Sequence, residues 1–507
     1  MRRGLAGPRR YSVSKATWIE TRAEEMARQF ESLMSERTGT FGELESDAMA
    51  VANAVVRGWT KKTLAKMAHG YGDEVLVDGQ RYRRHATGAS RYHTLCGAVE
   101  IQRDTYRLIG VHNGPTVVPL ELEAGILENA TPALARSVVQ AFATMPLRHY
   151  EDEMRAAHRS PPSRSTLERI AKRIGASIHD EMHLIEPVVR SRELVPEQAV
   201  SISVGVDRTT IPMAEQQPAL PDRWYRASKR RRPAPITVAY RMAYVTTIAI
   251  HDEQGVAVQN KRIAATAEEG PSEMMERLGA ELGHLLEQRP ELPIVVVQDG
   301  APELWNLVEE WFSNFGIHVE MKILDRYHLD ERLAAIAELL ERDERGRRTL
   351  REDWCKALDR SDTAIKRISR YIESRIYFPR AEPKPLTKAE RRGGPFGGAD
   401  VSSFSTPEPR LGSTNMKIVE GHLGYFNNHR DKIHYATPRK RGLPIGSGVT
   451  EGACKSVIAA RFKRSGQRWF EAGASACLQL RTLHLNGRLE AAICVHSQIS
   501  RRGLQID

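Results

Sequence analysis

Three carboxylates define the chemistry this sequence can offer. Asp207 closes the β-rich run SISVGVD, Asp299 closes the apolar run PIVVVQD, and Glu451 stands in the first turn of a helix that follows GLPIGSGVT. The two aspartates each end an apolar run, so neither reads simply as a surface charge. Three carboxylates converging without basic partners repel one another, and a divalent cation relieves that repulsion. Mg²⁺ takes oxygen ligands, keeps several waters and bridges to phosphate oxygens. Two such ions, about 4 Å apart, activate a water or a 3′-hydroxyl and stabilise the leaving oxygen. Each carboxylate alone also has a plainer reading. Asp299-Gly300 is a common turn pair, Asp207-Arg208 a surface ion pair, and Glu451 a complement to a helix dipole. Taken together, in this strand order and in a basic chain, they favour a metal site.

The segment ILDRYHLDERL adds Asp325 and His328, three residues apart, just after an apolar strand. At that spacing both can face one crevice from the first turn of a helix. They would then bind DNA, assist a leaving group or support a carboxylate; the alternative is a capping Asp with a partly buried His. Asp325 also competes with Asp299 for a place among the three acids. Asp299 is preferred because it ends the better-defined apolar strand. Asp330 is a weaker acidic candidate.

The elements that must position these groups can be read from periodicity. SISVGVD, AYRMAYVTTIAI and VAVQNKRIA are three strands, the second and third joined by the turn Asp252-Glu253-Gln254-Gly255. An amphipathic helix over about 272–287, the buried strand PIVVVQD, the helix PELWNLVEEWF and the strand IHVEMKILD follow, giving the order β-β-β-α-β-α-β. The last two strands fit parallel neighbours joined by helical crossovers. Sites in such sheets gather at the carboxyl ends of the strands, so Asp207 and Asp299 share a crevice if the first and fourth strands are adjacent. Upstream, residues from about 15 to 70 are helical in pattern, and Glu74–Val77 and Thr94–Arg107 alternate as strands of a small antiparallel sheet. Helical patterning returns from Thr131. After Ser160-Pro161-Pro162, Ser165 and Glu168 have capping-box spacing. The basic helix that follows, with Arg169, Lys172 and Arg173, belongs either to a helix-turn-helix or to an ordinary helical hairpin with a solvated face.

The chain has 507 residues, with 75 Lys+Arg against 64 Asp+Glu and a formal net charge of +11. That balance favours a polyanionic partner, nucleic acid first. Five cysteines, with no C-x-x-C pair, argue against a disulfide framework and a structural zinc site. No apolar run reaches the about 18 residues of a membrane helix, and the basic N-terminus lacks the apolar stretch of a secretory signal. A cytoplasmic protein without membrane contact is expected. Basic side chains cluster near the carboxylates. Lys455, Arg461, Lys463, Arg464 and Arg468 cannot all face a core, so several are expected along a DNA backbone. Arg208 is a further candidate contact. Lys229, Arg230, Arg231 and Arg232, between the first two strands, form either a phosphate-binding loop or a solvated basic turn.

The strand order, the spaced D…D…E set and the D-R-Y-H box resemble a DDE transposase with an RNase H-like catalytic domain. VDRTTIPM, VVVQDGAPELW, ILDRYHL and LPIGSGVTEGACKSVIAARFKRSGQRW carry the resemblance, which is to the ISKra-type bacterial insertion-sequence transposases. D-R-Y-H also resembles the D-x-x-H box of Mutator-like transposases. The resemblance runs from about Thr94 to Leu483, and GSGVTE is its most specific block. It implies DNA cleavage and strand transfer at inverted repeats, with Asp207, Asp299 and Glu451 binding two Mg²⁺ ions (Mn²⁺ substituting) and Asp325 and His328 in auxiliary roles. It implies oligomers acting on double-stranded DNA, at transposon ends and target. A nuclease of the same fold, or a catalytically silent DNA-binding protein, is the alternative. The expected fold is multidomain α+β. An N-terminal helical region spans 1–72, a small antiparallel β region 73–125, and a helical, DNA-binding region 126–195. The RNase H-like core occupies 198–330 and 441–485, interrupted by a helical insertion at 331–440 with a mobile loop near 379–412, and 486–507 form a tail.

Overall fold

The computed structural model describes residues 14–216, 236–377, 411–501 and 503–505. The basic run Lys229–Arg232 and nearly all of the 379–412 segment lie outside the described residues. The protein is mixed α+β with two five-stranded sheets. The strands are β1 (Glu74–Val77), β2 (Gln80–Thr94), β3 (Gly97–Leu108), β4 (Thr116–Val117), β5 (Ser201–Gln216), β6 (Ile236–His251), β7 (Ala257–Ala265), β8 (Ile294–Gln298), β9 (Met321–Leu324) and β10 (Leu504–Gln505). The chain divides into two compact units, Met1–Ile174 with Ser497–Asp507, and Gly175–His496.

The first unit holds the antiparallel sheet β10-β1-β2-β3-β4. The alternation in Thr94–Arg107 belongs to one arm of a long hairpin: Thr94 ends β2, pairs with Gly97, and β3 carries the rest. Tyr82, Tyr92, Tyr106, Val75, Val77 and Ile101 build the core with Leu64 and Ala68 of the Phe41–Ala68 helix. The buried tyrosines keep their hydroxyls partnered, Tyr92 donating to Glu121 (2.8 Å) and Tyr106 to the Gly72 carbonyl (2.7 Å). Thr40 and Glu43 close a capping box at the start of that helix. The expected tail contributes β10 to this sheet through Leu76↔Gln505 and Val77↔Leu504.

Two expectations upstream of the second sheet are corrected. The helix Arg164–Asp180 begins one residue before Ser165. Ser163 precedes it and accepts the Leu167 amide on its carbonyl (3.0 Å), so Ser165 lies inside the first turn. The connection from Leu147–Ala156 to Arg164–Asp180 covers residues 157–163. That is longer than the three- or four-residue turn of a helix-turn-helix. Leu167, Ile170, Ala171, Ile174 and Ile178 are buried along one face, so the helical-hairpin alternative describes the segment better.

The second unit holds the sheet β7-β6-β5-β8-β9. β7, β6 and β5 are antiparallel; β5, β8 and β9 are parallel. The helices Gly270–Gln288 and Pro302–Asn314 make the two crossovers into β8 and β9. β8 is buried along its whole length, the pattern of a central parallel strand covered on both faces. Ile294 and Val296 join Ile202, Val204, Val206, Leu278 and Trp305 on one side. Val295 and Val297 join Ile323, Leu329, Leu333 and Phe426 on the other. The helical segment after β9 starts at Arg326, five residues earlier than expected, because Asp325 caps the Arg326–Leu340 helix directly from the strand end. Among the described residues no helix is long and apolar enough to cross a membrane.

A buried ionic network ties the crossover helix to the C-terminal part of this unit. Glu281 accepts from Arg488 (2.7 Å) and Arg190 (2.9 Å), and Arg488 also reaches Glu193. Burial alone would push the Glu281 carboxyl up, but the guanidiniums outweigh it and hold it down at about 2. A pKa lowered on folding stabilises the protein above the unfolded carboxylate range and loses that contribution as pH falls through it. Glu281→Gln is therefore expected to cost about 3–5 kcal/mol near neutral pH, leaving Arg488 buried with one partner fewer. The deficit relative to wild type should shrink from the ordinary Glu value of 4.5 toward about 2. Urea unfolding across that range checks it, and a deficit independent of pH would contradict the assignment.

Candidate active site

Strand register brings the acids together. Between β5 and β8, Ile202 pairs with Ile294 and Val204 with Val296. Carried past the last pair, this register sets Asp207 level with Asp299; Asp299 follows the end of β8, whereas Asp207, expected to close its strand, lies within β5, which continues to Gln216 paired with β6. Between β8 and β9, Gln298 pairs with Leu324, which sets Asp299 level with Asp325. The Asp325 amide donates to the Gln298 carbonyl at 2.9 Å. Val204 and Val206 point into one core, so by the two-residue period Gly205 and Asp207 face the opposite side.

Glu451 reaches that side on the short helix Gly448–Ala453. Its neighbour Thr450 is buried against the sheet, its hydroxyl 2.7 Å from that of Thr247 on β6. Gly205 makes this approach possible. A Cβ there would stand 2.2 Å from Thr450 Oγ1 and 2.8 Å from the Val297 carbonyl. A glycine inside a strand is the sequence signal for such a close approach. The glycines of GLPIGSG play a different part: a Cβ on Gly446 or Gly448 would meet nothing within 4 Å, while Gly442 has a positive φ of 67° and a Cβ there would stand 2.8 Å from the Glu253 carbonyl.

The result is one small cavity of about 20 Å³, lined by Val206, Asp207, Gln298, Asp299, His328, Ser447, Thr450 and Glu451. That is room for roughly one water-sized sphere. Asp207 accepts its neighbouring Arg208 amide on Oδ1 (2.7 Å), and Asp299 accepts the Ala301 amide on Oδ1 (3.0 Å). The turn reading of Asp299 therefore holds for one of its oxygens. Glu451 lies 3.5 Å from His328 Nε2 and 3.7 Å from Lys455 Nζ. His328 Nδ1 stands 3.4 Å from Glu331. His328 thus bridges two carboxylates at the rim.

Asp325 is at the same level and does something else. It is 1% exposed. Its Oδ1 accepts the amides of Tyr327 (2.6 Å) and His328 (3.2 Å), and its Oδ2 accepts the amide (2.5 Å) and hydroxyl of Ser447. Ser447 in turn accepts the Thr450 and Glu451 amides on its carbonyl (2.8 and 3.0 Å). Asp325 caps one helix and clamps the start of the other; it does not line the cavity. Nothing in the local pattern points to Ser447, Thr450 or Thr247, whose roles depend on contacts distant along the chain.

The donor set suits a hard divalent cation. It consists of carboxylate oxygens, and Mg²⁺ is commonly held by one or two carboxylates with waters and substrate phosphates completing its shell. The nearby Cys454 thiol is pushed well above its ordinary range by burial and by Asp207. Among the described residues no three His, Cys, Asp or Glu side chains form a ready-made metal-binding group.

The basic candidates separate clearly. Lys455, Lys463 and Arg468 are exposed. Lys463 donates to Thr209 on β5, just past Asp207, and Trp469 pairs with β5 through Ala214 N (2.7 Å) and Pro212 O (3.0 Å). This basic segment therefore runs along the strand that carries Asp207. It follows a π-helical turn, Cys454–Ala459, a distortion frequent at functional sites. Arg464 is half-buried, its Nε donating to the Ala460 carbonyl (2.8 Å). Arg461 is a correction: it is 2% exposed, its guanidinium 4.6 Å over the Trp469 ring, and so is turned away from any DNA backbone. Arg208 is ion-paired with Glu303. In the first unit, Arg169 and Arg173 share Glu128 (2.8 and 3.1 Å), while Lys172 is exposed.

The sequence matches no protein-family model, and comparison with curated proteins finds no match.

Gly205→Ala is expected to destabilise the protein by about 1–3 kcal/mol through overpacking and to displace the Glu451 helix. Thermal unfolding checks the first effect. A wild-type melting temperature would mean that Thr450 does not press on the strand as described.

Proposed function

We propose that this chain is a DDE transposase with an RNase H-like catalytic core, cleaving DNA and transferring strands at the inverted repeats of an insertion sequence. The observation that carries the reading is the alignment of Asp207, within β5 just past its parallel pairing with β8, and Asp299, just after β8, with Glu451 brought to the same cavity by a helix from the far side of a helical insertion. The sheet order, three antiparallel strands followed by two parallel ones through helical crossovers, supports the RNase H-like assignment. The exposed Lys455, Lys463 and Arg468 beside β5 support a DNA substrate.

In this reading Asp207, Asp299 and Glu451 hold the divalent ions. Bound Mg²⁺ supplies activation of the attacking water or 3′-hydroxyl and stabilisation of the leaving oxygen. The remaining work is positional. Asp207 and Asp299 are each oriented by a backbone amide on one oxygen. His328 holds Glu451 toward the cavity while Glu331 orients the ring. Asp325 acts through Ser447, fixing the turn from which Glu451 projects. The basic strip fixes the duplex by its phosphates, which positions the strand without reading its sequence. A copy on each of two paired ends, acting as an oligomer, fits strand transfer between separate DNA segments.

Asp207→Asn, Asp299→Asn and Glu451→Gln are each expected to abolish Mg²⁺-dependent cleavage and joining of inverted-repeat DNA, while duplex binding stays within a few-fold of wild type. Mn²⁺ is expected to replace Mg²⁺. Asp325→Asn is expected mainly to lower the melting temperature. Gel assays of cleavage and strand joining separate the readings. Cleavage without joining makes the protein a nuclease of the same fold. DNA binding without metal-dependent cleavage makes it a silent binding protein. Wild-type cleavage by any one of the three variants removes that residue from the set.

A further inference from the structure

Arg332 lies four residues after His328 on the Arg326–Leu340 helix. Residues four apart share a helix face, and His328 lines the acid cavity. Arg332 therefore stands on the cavity-facing side, about 6 Å further along the axis. Its guanidinium lies 3.7 Å from the centre of the Tyr425 ring and 3.4 Å from His422 Nδ1. Tyr425 comes from the helix Ser413–Asn428 and packs against Gly300, the residue after Asp299. A Cβ on Gly300 would stand 2.3 Å from the tyrosine hydroxyl. His429 secures the same contact, with Nε2 3.1 Å from the Gly300 carbonyl and Nδ1 2.9 Å from the Tyr425 carbonyl.

The platform under Arg332 is thus built onto the turn that carries Asp299. The charge of Arg332 is handled differently from that of its neighbours. Arg326 is shared between Asp330 and Asp359, and Arg208 is paired with Glu303. Among the described residues Arg332 is in no ion pair with a carboxylate, and it is only partly buried. A guanidinium held over an aromatic ring retains N–H donors beyond the one near His422, and these suit phosphate oxygens.

We propose that Arg332, held on Tyr425, binds a backbone phosphate of the DNA strand entering the acid cavity, next to the phosphate on which the reaction occurs. The assignment rests on the transposase reading above and extends it to a substrate contact made from the helical segment between β9 and Glu451. It gives that segment a direct part in holding the strand, since Tyr425 also braces the Asp299 turn.

The test is binding of a fluorescently labelled DNA duplex, with EDTA present, across a range of salt concentrations. One lost phosphate contact makes the plot of log affinity against log salt shallower by about one unit. Arg332→Gln is expected to show that shallower slope and several-fold weaker binding, with an unchanged melting temperature. Arg332→Lys, which keeps the charge, is expected to restore the slope. A wild-type slope in Arg332→Gln overturns the proposal. So does failure of Arg332→Lys to restore it, since the loss would then come from disturbed packing on Tyr425. Wild-type protein that binds no duplex at any salt concentration overturns the transposase reading itself. Wild-type protein that cuts DNA, beside an Arg332→Gln variant with an unaltered slope, leaves that reading standing and removes Arg332 from it.

Discussion

The geometry of the site depends on a missing side chain. Gly205 leaves a gap on the face of β5 into which Thr450 fits, and the Thr450–Thr247 hydrogen bond locks the contact across two strands. Everything about Glu451 follows from that close approach, because it is the next residue in the first turn of the helix that begins at Gly448. The helical backbone runs on through the π-helical turn Cys454–Ala459 to Phe462, and its first turn is held by what it touches. The sheet provides one support at Gly205 and Asp325 provides the other through Ser447. Glu451 is thereby fixed at a cavity that its own local sequence could not define.

The three aspartates at one level of the sheet, Asp207 within β5 and Asp299 and Asp325 just after β8 and β9, show how that level supports different roles. Parallel register makes Asp207, Asp299 and Asp325 equivalent in height. Their hydrogen bonds make them different. Asp325 accepts four donors and is almost fully buried, so its lone pairs are committed to structure. A carboxylate in that condition is a poor candidate for a ligand that needs the same lone pairs. Asp207 and Asp299 each give one oxygen to a neighbouring amide and line the cavity. The helical segment between β9 and Glu451 adds a second layer. His429 and Tyr425 grip Gly300, and Arg326 joins Asp330 and Asp359 beneath the ring of Tyr435. This segment is packed into the same core as β8 and β9, so it is part of the scaffold that holds the acids.

Much of this was legible in the sequence, for a local reason. Apolar alternation and the unbroken run IVVVQ fix strand identity, since a strand buried on both faces needs side chains that tolerate burial on both. The β-β-β-α-β-α-β order follows, and with it the expectation that Asp207 and Asp299 share a crevice on neighbouring strands, although β5 runs on past Asp207 to Gln216. The one glycine within SISVGVD also carried its meaning in the sequence, although the partner that fills its place did not. Contacts between residues more than two hundred positions apart, such as Gly205 with Thr450, leave no periodic trace.

What tertiary structure alone decided concerns charge and register. Arg461 and Lys463 are two residues apart in one basic run, yet one is buried over Trp469 and the other reaches Thr209 on β5. Composition counts both as cations; only the packing of the turn against β5 assigns them. Asp299 and Asp325 each follow a short apolar strand, and the chain separates them only by how well defined that strand is. The sequence by itself determined the five strands of the second sheet and that acids lie near where the parallel ones stop pairing. The fold determined which acid faces the cavity, because that depends on which backbone amides and hydroxyls arrive from elsewhere to claim a carboxylate's oxygens.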